Sequence, residues 1–403
     1  MGFQGLNASP PARRQTSTTK MVFFPRNIVI KLTHPLLSAG NAHRKREYPE
    51  GIVLKTIRMS KQALVINGGI SRGAFAVGAI KKLFECRPDL DFDIFSGGGS
   101  GSLIIPFVAL KDMQPLVEIF TTKHNKDIIR RFSLSERILE TSILDASPLW
   151  GLLDHYYTHG LYNRLCHTDK ELYFNTMCLQ THALTVFSPR HNPAVAARYA
   201  HRCFENYDQF LRTLLASTCQ PVLLPPIRIQ PQEEPVRQYI DAGDREYAGI
   251  EMAIASGATD VYVLLQSPEA PNQENKEYQD LFSILQETLD IFIADAADNR
   301  LILPHLYNEG LRYIEAVKKK MGRQGVSATM IEDWFDTGMT DNPFYNKPPV
   351  RLHIIRPDLP LGGGPDGLSF DPAVMQEMLA KGEQAMEAHL ALTAPHRDIR
   401  MNG

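Results

Sequence analysis

The chain has 403 residues, of which 43% are hydrophobic and 22% charged, and its formal net charge is −2. This is ordinary globular composition, and it supplies no global field that would draw in nucleic acid or an anionic membrane. Five scattered cysteines (Cys86, Cys166, Cys178, Cys203, Cys219) show no zinc-type spacing, and no apolar run approaches the roughly 20 residues of a membrane span.

The N-terminus differs from the rest. Met1 to Arg46 holds eight Lys or Arg and no Asp or Glu. The expectation for residues 1–58 is a disordered basic extension, with a transit peptide or a stretch upstream of a start at Met59 as the alternatives. "MVFFPRNIVIK" carries a proline in mid-run and makes a poor amphipathic helix. Gly2 does not begin a myristoylation signal, because position 6 is Leu6.

Ordered structure is expected from about Met59. "QALVING" (Gln62 to Gly68) reads as a buried strand and "AFAVGAIKKLFE" (Ala74 to Glu85) as the helix after it. "FDIFSG" is the next strand, and "SLIIPFVALKD" opens a second helix. Strand, helix, strand, helix is the order of a βαβ unit with a parallel sheet. "ALTVFSP" (Ala183 to Pro189) and "DVYVLLQ" (Asp260 to Gln266) read as further strands, Phe210 to Thr218 and Ala248 to Gly257 as helices. The pattern is helical from about Tyr278 to Lys320. It closes on a strand, "VRLHIIRP", and a helix from Asp371 to about Leu392, followed by a tail over 393–403.

Three stretches bear on chemistry. "NGGISRGAF" (Asn67 to Phe75) puts glycines between a strand and a helix, where backbone N–H groups gather at a helix N-terminus. It reads as an oxyanion or phosphate cradle, or as a plain βα turn. It lacks the third glycine of a dinucleotide fingerprint, since position 70 is Ile70, and no Walker A lysine follows. "FDIFSGGGSGSL" (Phe92 to Leu103) meets the steric demand of a nucleophile elbow, which needs small residues two places either side of its tip. In "YIDAGDREYAGIEMAIASG", Asp241 ends an apolar segment, either as a general base or as a turn residue. His155 and His159 are spaced i, i+4 but have no HExxH-like support, and the sequence offers no metal site. Cys219 reads as a buried structural thiol and "LGGGPDG" (Leu361 to Gly367) as a flexible turn.

Taken in order, these stretches resemble the patatin-like phospholipase family, with its G-G-x-x-R-G turn, G-x-S-x-G elbow and D-G-G/A aspartate. Between the motifs, "SILDASPLWGLLDHYY" (Ser142 to Tyr157) and "LLASTCQPVLLPPIRI" (Leu214 to Ile229) are similar to family segments. So is "LSFDPAVMQEMLAKGEQAM" (Leu368 to Met386). The resemblance covers 59–392. It implies an α/β, three-layer fold with a mostly parallel sheet and helices on both faces. It also implies Ser–Asp dyad chemistry on acyl esters of lipids, with no cofactor and no metal. The partner would be a lipid or acyl-ester substrate with peripheral contact to a membrane, in a cytoplasmic setting without nucleic acid. Gly68, Gly69, Arg72 and Gly73 match the oxyanion turn and Asp241 the dyad aspartate, with Ala242 where the family has glycine.

At the elbow the sequence departs from the family. Without a gap, Gly97 and Gly101 fall on the two elbow glycines, Gly99 on the serine slot and Ser100 one place beyond. Catalysis is then lost or impaired, leaving a lipid-binding scaffold, because an acyl-enzyme needs a side-chain nucleophile. In a slipped register Ser100 tops the elbow, flanked by Gly98 and Ser102, and is the nucleophile of an active hydrolase. A one-residue slip would turn the following helix by about 100° and misplace "LIIPFVAL". The ungapped register is therefore expected, with Gly99 at positive φ and Ser100 Oγ directed away from Asp241.

Overall fold

The structure is a computed structural model. It describes residues 60–137, 139–230, 235–242, 246–269, 302–335, 349–364 and 367–393. It also describes 18–24, 28–34, 57–58, 344 and a few positions between 277 and 288. The chain divides into two units, Met1–Ser60 and Lys61–Gly403.

In the first unit, β1 (Thr18–Phe24), β2 (Ile28–His34) and β3 (Ile57–Arg58) form an antiparallel sheet in that order. This differs from the disordered extension that composition suggests. Net basic charge does not forbid a hairpin, and both seven-residue strands are rich in β-branched residues. Neither strand contains a proline. The rest of 1–58 lies outside the described residues, as does the tail beyond Thr393.

The second unit is built on a nine-stranded sheet. It opens with β4 (Lys61–Ile66), a 3-10 turn (Ile70–Arg72) and α1 (Gly73–Cys86). β5 (Ile94–Gly97) and α2 (Ser100–Ala109) repeat the unit. α3 (Gln114–Thr122), α4 (Asn125–Ile128) and α5 (Leu134–Arg137) follow, with a two-stranded clip of β6 (Arg130–Arg131) and β7 (Leu144–Asp145). α6 (Ser147–Tyr156) and α7 (His159–His167) lead to β8 (Glu171–Cys178) and β9 (Leu184–Ser188). Next come α8 (Pro193–Ala196), β10 (Ala200–Cys203) and α9 (Tyr207–Thr218). β11 (Ile227–Ile229), β12 (Arg237–Asp241), α10 (Glu246–Ala255) and β13 (Ala258–Leu264) complete the region around the site. Beyond it are helices Ile302–Arg323 and Ala328–Phe335, β14 (Arg351–Ile355) and a C-terminal helix, Pro372–Thr393. Most of the expected helical region before Ile302 lies outside the described residues.

The strands run β10-β9-β8-β5-β4-β13-β14. Pairing is parallel from β8 through β5, β4 and β13 to β14, and antiparallel where β8 meets β9 and β12. Alternation along the buried strands sorts side chains into two cores. Leu64, Ile66, Phe95 and Phe174 pack with α1, α2 and α9, while Ala63, Val65, Ile94 and Tyr173 pack with α10. Helices thus cover both faces of a mostly parallel sheet, giving three layers. β8 is the strand least evident from sequence, because Asn175 and Thr176 break its apolar run. Both polar side chains donate inside the protein, Asn175 Nδ2 to Ser96 Oγ and Thr176 Oγ1 to the Thr185 carbonyl, while Asn175 Oδ1 is buried without a partner among the described residues.

One detail of the pairing positions the site. β8 is bordered on one edge by β9. Its other edge is shared, with β5 pairing to Glu171–Phe174 and β12 to Thr176–Cys178. β5 leaves the sheet at Gly97, and β12 enters above it, so Asp241 (opposite Thr176) arrives just beyond the point where β5 turns away.

Candidate active site

β4 and β5 are parallel neighbours, so the turns that follow them lie side by side at the C-terminal edge of the sheet. This is where open α/β sheets form their crevice. Gly99 precedes α2 with φ 53° and ψ −130°, a backbone that a side chain tolerates only under strain. A Cβ on Gly99 would lie 2.5 Å from Gly68 Cα and 3.3 Å from Asp241 Oδ2. The position therefore faces the aspartate across the Gly68 backbone.

The residues two places away are glycines for steric reasons. A Cβ on Gly97 would meet the Gly101 carbonyl carbon at 2.7 Å, and one on Gly101 would meet the Ile66 carbonyl oxygen at 2.2 Å. Gly98 has nothing within 4 Å of its Cβ direction. The steric limits at 97 and 101 thus lie two places either side of Gly99. The elbow is fixed from below as well. Ser102 Oγ donates to the Gly97 carbonyl at 2.8 Å and lies 2.6 Å from Ser217 Oγ on α9, which donates to the Asn175 carbonyl.

Ser100 opens α2 and is 2% exposed. Its Oγ accepts a long hydrogen bond, 3.4 Å, from Gln266 Nε2. Gln266, just past β13, was not singled out in the sequence. It is buried and also donates to the Asn67 carbonyl at 2.8 Å, bracing the turn after β4. No motif marks it; its place at the end of a strand beside β4 is the only signal.

Of the residues matched to an oxyanion turn, Gly68 borders the slot at position 99, with its backbone nitrogen 3.5 Å from where a Cβ there would lie. Gly69 faces Gln266, and Gly73 faces Ser100 and Phe120. Arg72 is directed elsewhere: Nε donates to the Gly362 carbonyl at 3.1 Å and Nη2 to the Gly364 carbonyl at 3.3 Å. "LGGGPDG" is therefore not merely a flexible turn, since its described part packs on the turn after β4. Ile70, between Gly69 and Arg72, holds φ 53°, a rare state for a β-branched residue.

Behind the elbow runs a narrow apolar cavity of about 40 Å³. Ser100 and Thr218 are its polar lining residues; Ile70, Leu103, Phe120 and Leu224 are among the apolar ones. Asp241 N–H donates to the Cys219 carbonyl at 2.9 Å. Burial, with the Asp241 charge adding to it, pushes the Cys219 thiol far above its ordinary range, which suits a structural thiol and not a nucleophile. His155 closes α6 and His159 opens α7, where it stacks on Tyr207, so the pair shares no helix face. Among the described residues no cluster of His, Cys, Asp or Glu is arranged for a metal ion, and no helix is long and apolar enough to cross a membrane.

Residues 64–254 match the patatin-like phospholipase family. The patatin-like segment runs from β4 to α10 and contains both glycine turns and Asp241. It supplies the scaffold of a lipid acyl hydrolase. No curated protein matches the chain. Among solved structures, VipD from Legionella pneumophila is similar at 9% identity and a TM-score of 0.34, the match covering 94% of this chain and 71% of that one.

Proposed function

We propose that this chain is a patatin-like acyl-lipid binding protein whose hydrolytic step is lost or badly impaired. The observation that carries the reading is the elbow. Gly99 has the positive φ and the Cβ direction toward Asp241 that a nucleophile would use, and it has no side chain. Without an oxygen there, an ester carbonyl held at the crevice has no partner for covalent attack. The Gly68 backbone beside the slot remains for the ester carbonyl, and a hydroxyl of the head can donate to the Asp241 carboxylate. The apolar cavity behind Ser100, about 40 Å³, takes the first few carbons of a short acyl chain. Peripheral contact with a lipid surface would deliver such a ligand.

The rival reading has Ser100 as nucleophile of an active hydrolase. Its elbow would need small flanks at Gly98 and Ser102. Yet Gly98 is under no steric demand, and the Ser102 hydroxyl is committed to the Gly97 carbonyl and Ser217. Ser100 Oγ itself is held by Gln266 at the cavity wall.

Binding of a short-chain monoacylglycerol, read by the shift in melting temperature, together with turnover of a p-nitrophenyl ester, tests the proposal. Wild type is expected to bind the probe and show no turnover above background. Ser100→Ala should change neither. Gly99→Ser should raise turnover about tenfold over wild type. The gain is held down because a Cβ at 99 needs the Gly68 backbone to retreat. Brisk hydrolysis by wild type, abolished in Ser100→Ala, would overturn the proposal in favour of Ser100.

A further inference from the structure

The segment from Leu361 to Phe370 lies far along the chain from the elbow, yet it is fastened to it at several points. Arg72 donates to the carbonyls of Gly362 and Gly364. A Cβ on Gly367 would lie 2.5 Å from the Gly69 carbonyl oxygen, and one on Gly363 would lie 2.6 Å from Ser71 Oγ. Backbone therefore rests directly on the turn after β4, and both glycines have positive φ. Ser369 N–H donates to the Gly363 carbonyl at 2.7 Å, folding the segment back on itself. Past the glycines, Arg131 Nη2 donates to the Leu368 carbonyl at 3.3 Å, and Phe370 N–H donates to Asn125 Oδ1 at 2.8 Å. So held, Leu368 and Phe370 are buried and line the apolar cavity opposite Ile70 and Ser100.

From this we infer that Arg72 is a positioning residue: it latches a C-terminal strap whose Leu368 and Phe370 form the wall that keeps the cavity, about 40 Å³, to short acyl chains. This rests on the acyl-binding reading above. An arginine suits the task because its planar, permanently charged fork reaches two carbonyls at once, and hydrogen bonds from a charged donor are stronger than neutral ones. The wall acts on chain recognition because Leu368 and Phe370 line the cavity among apolar residues, and neither Gly68 nor Asp241 is in its lining. The polar end of the ligand, at Gly68 and Asp241, is left to other groups.

The test uses the full chain and a series of monoacylglycerols from two to twelve carbons, read by the shift in melting temperature, with chymotryptic cleavage at Leu368 and Phe370 as a readout that needs no ligand. Arg72→Ala should weaken binding of the best chain at least fivefold, flatten the chain-length preference and speed cleavage in the strap. Arg72→Gln, which keeps two N–H donors, should restore part of each. Leu368→Ala and Phe370→Ala should shift the preference toward longer chains with the latch intact. If Arg72→Ala folds and leaves affinity, preference and cleavage unchanged while wild type binds, the latch is wrong and the acyl-binding reading stands. If wild type binds no monoacylglycerol of any length, the acyl-binding reading falls, and with it the inferred role of the strap in chain choice. Should Arg72→Ala not fold, the alanine variants at 368 and 370 decide, an unchanged chain-length preference in both overturning the inference.

Discussion

Two runs of three glycines, Gly97–Gly99 and Gly362–Gly364, look alike in sequence and do different things. In the first, the chain must turn from strand to helix within two residues, and the steric limits come from its own neighbours. Gly101 packs against the Ile66 carbonyl and Gly97 against the Gly101 carbonyl. In the second, positive φ values run through Gly362, Gly363 and Gly364, and the limit comes from a distant partner, the turn at Gly69–Arg72. A glycine run is thus informative only position by position. What matters is which Cβ direction is blocked, and by what.

Substitutions along the two runs test this directly. Gly101→Ala should have the largest effect. Its methyl would overlap a strand carbonyl that cannot move without breaking β4 from the sheet, so a loss of about 3 kcal/mol is expected in denaturant unfolding. Gly98→Ala, three residues away, should stay within about 0.5 kcal/mol of wild type. Equal losses at 98 and 101 would mean that the elbow is not centred on Gly99.

The strap should respond more mildly. Gly367→Ala combines φ 74° with a 2.5 Å approach to the Gly69 oxygen, and a loss of about 2 kcal/mol is expected. Gly362→Ala has φ 84° but only an ordinary 3.8 Å contact, with Val374 Cγ1, so about 1 kcal/mol is expected. Thermal melts of the two variants side by side separate close approach from φ alone. A larger loss at 362 than at 367 would show that the strap does not rest on the Gly69 turn.

The same contrast explains what could be read from sequence. The βαβ order, the two turns and Asp241 were legible because each is a local pattern: apolar run, glycines, helical spacing. The adjacency of the turns followed from parallel pairing. β8 is hard to read because Asn175 and Thr176 break its apolar run, and the groups their side chains donate to lie on other strands. Gln266 and the strap were not legible as site elements, since their roles depend on contacts about 200 and 290 residues away along the chain. Arg72 was visible as part of the glycine motif, but which way its side chain turns is set by carbonyls that sequence order does not bring near. The pairing of β1 with β2 lies in a stretch whose basic charge says nothing of strand formation, which follows from the β-branched residues of both strands.

The smallest expected effect lies where the strap's helix docks. The C-terminal helix carries His389, whose Nε2 lies 3.0 Å from Nδ1 of His353 on β14. The His353 ring stacks on Tyr262 and is 3.7 Å from Asp260 Oδ1, with the Arg351 guanidinium also near. Burial lowers the pKa of both histidines; the His389 and Arg351 charges lower His353 further, against an upward pull from Asp260. Both rings therefore stay neutral in the folded chain at pH values where the unfolded chain has begun to bind protons. The stability tied to the pair is complete above the ordinary histidine pKa of about 6.5 and is lost as pH falls below it. Melting temperature should fall by a few degrees, roughly 2–4 °C, between pH 7.5 and 5.5. In His389→Gln that fall should be shallower, because a neutral amide takes no proton and removes the like charge that His353 meets. The Gly101→Ala variant, altered at the elbow, should keep the wild-type slope. An identical slope in His389→Gln would show that the docking of the strap's helix is insensitive to this pair, and that the two glycine regions share one pH response.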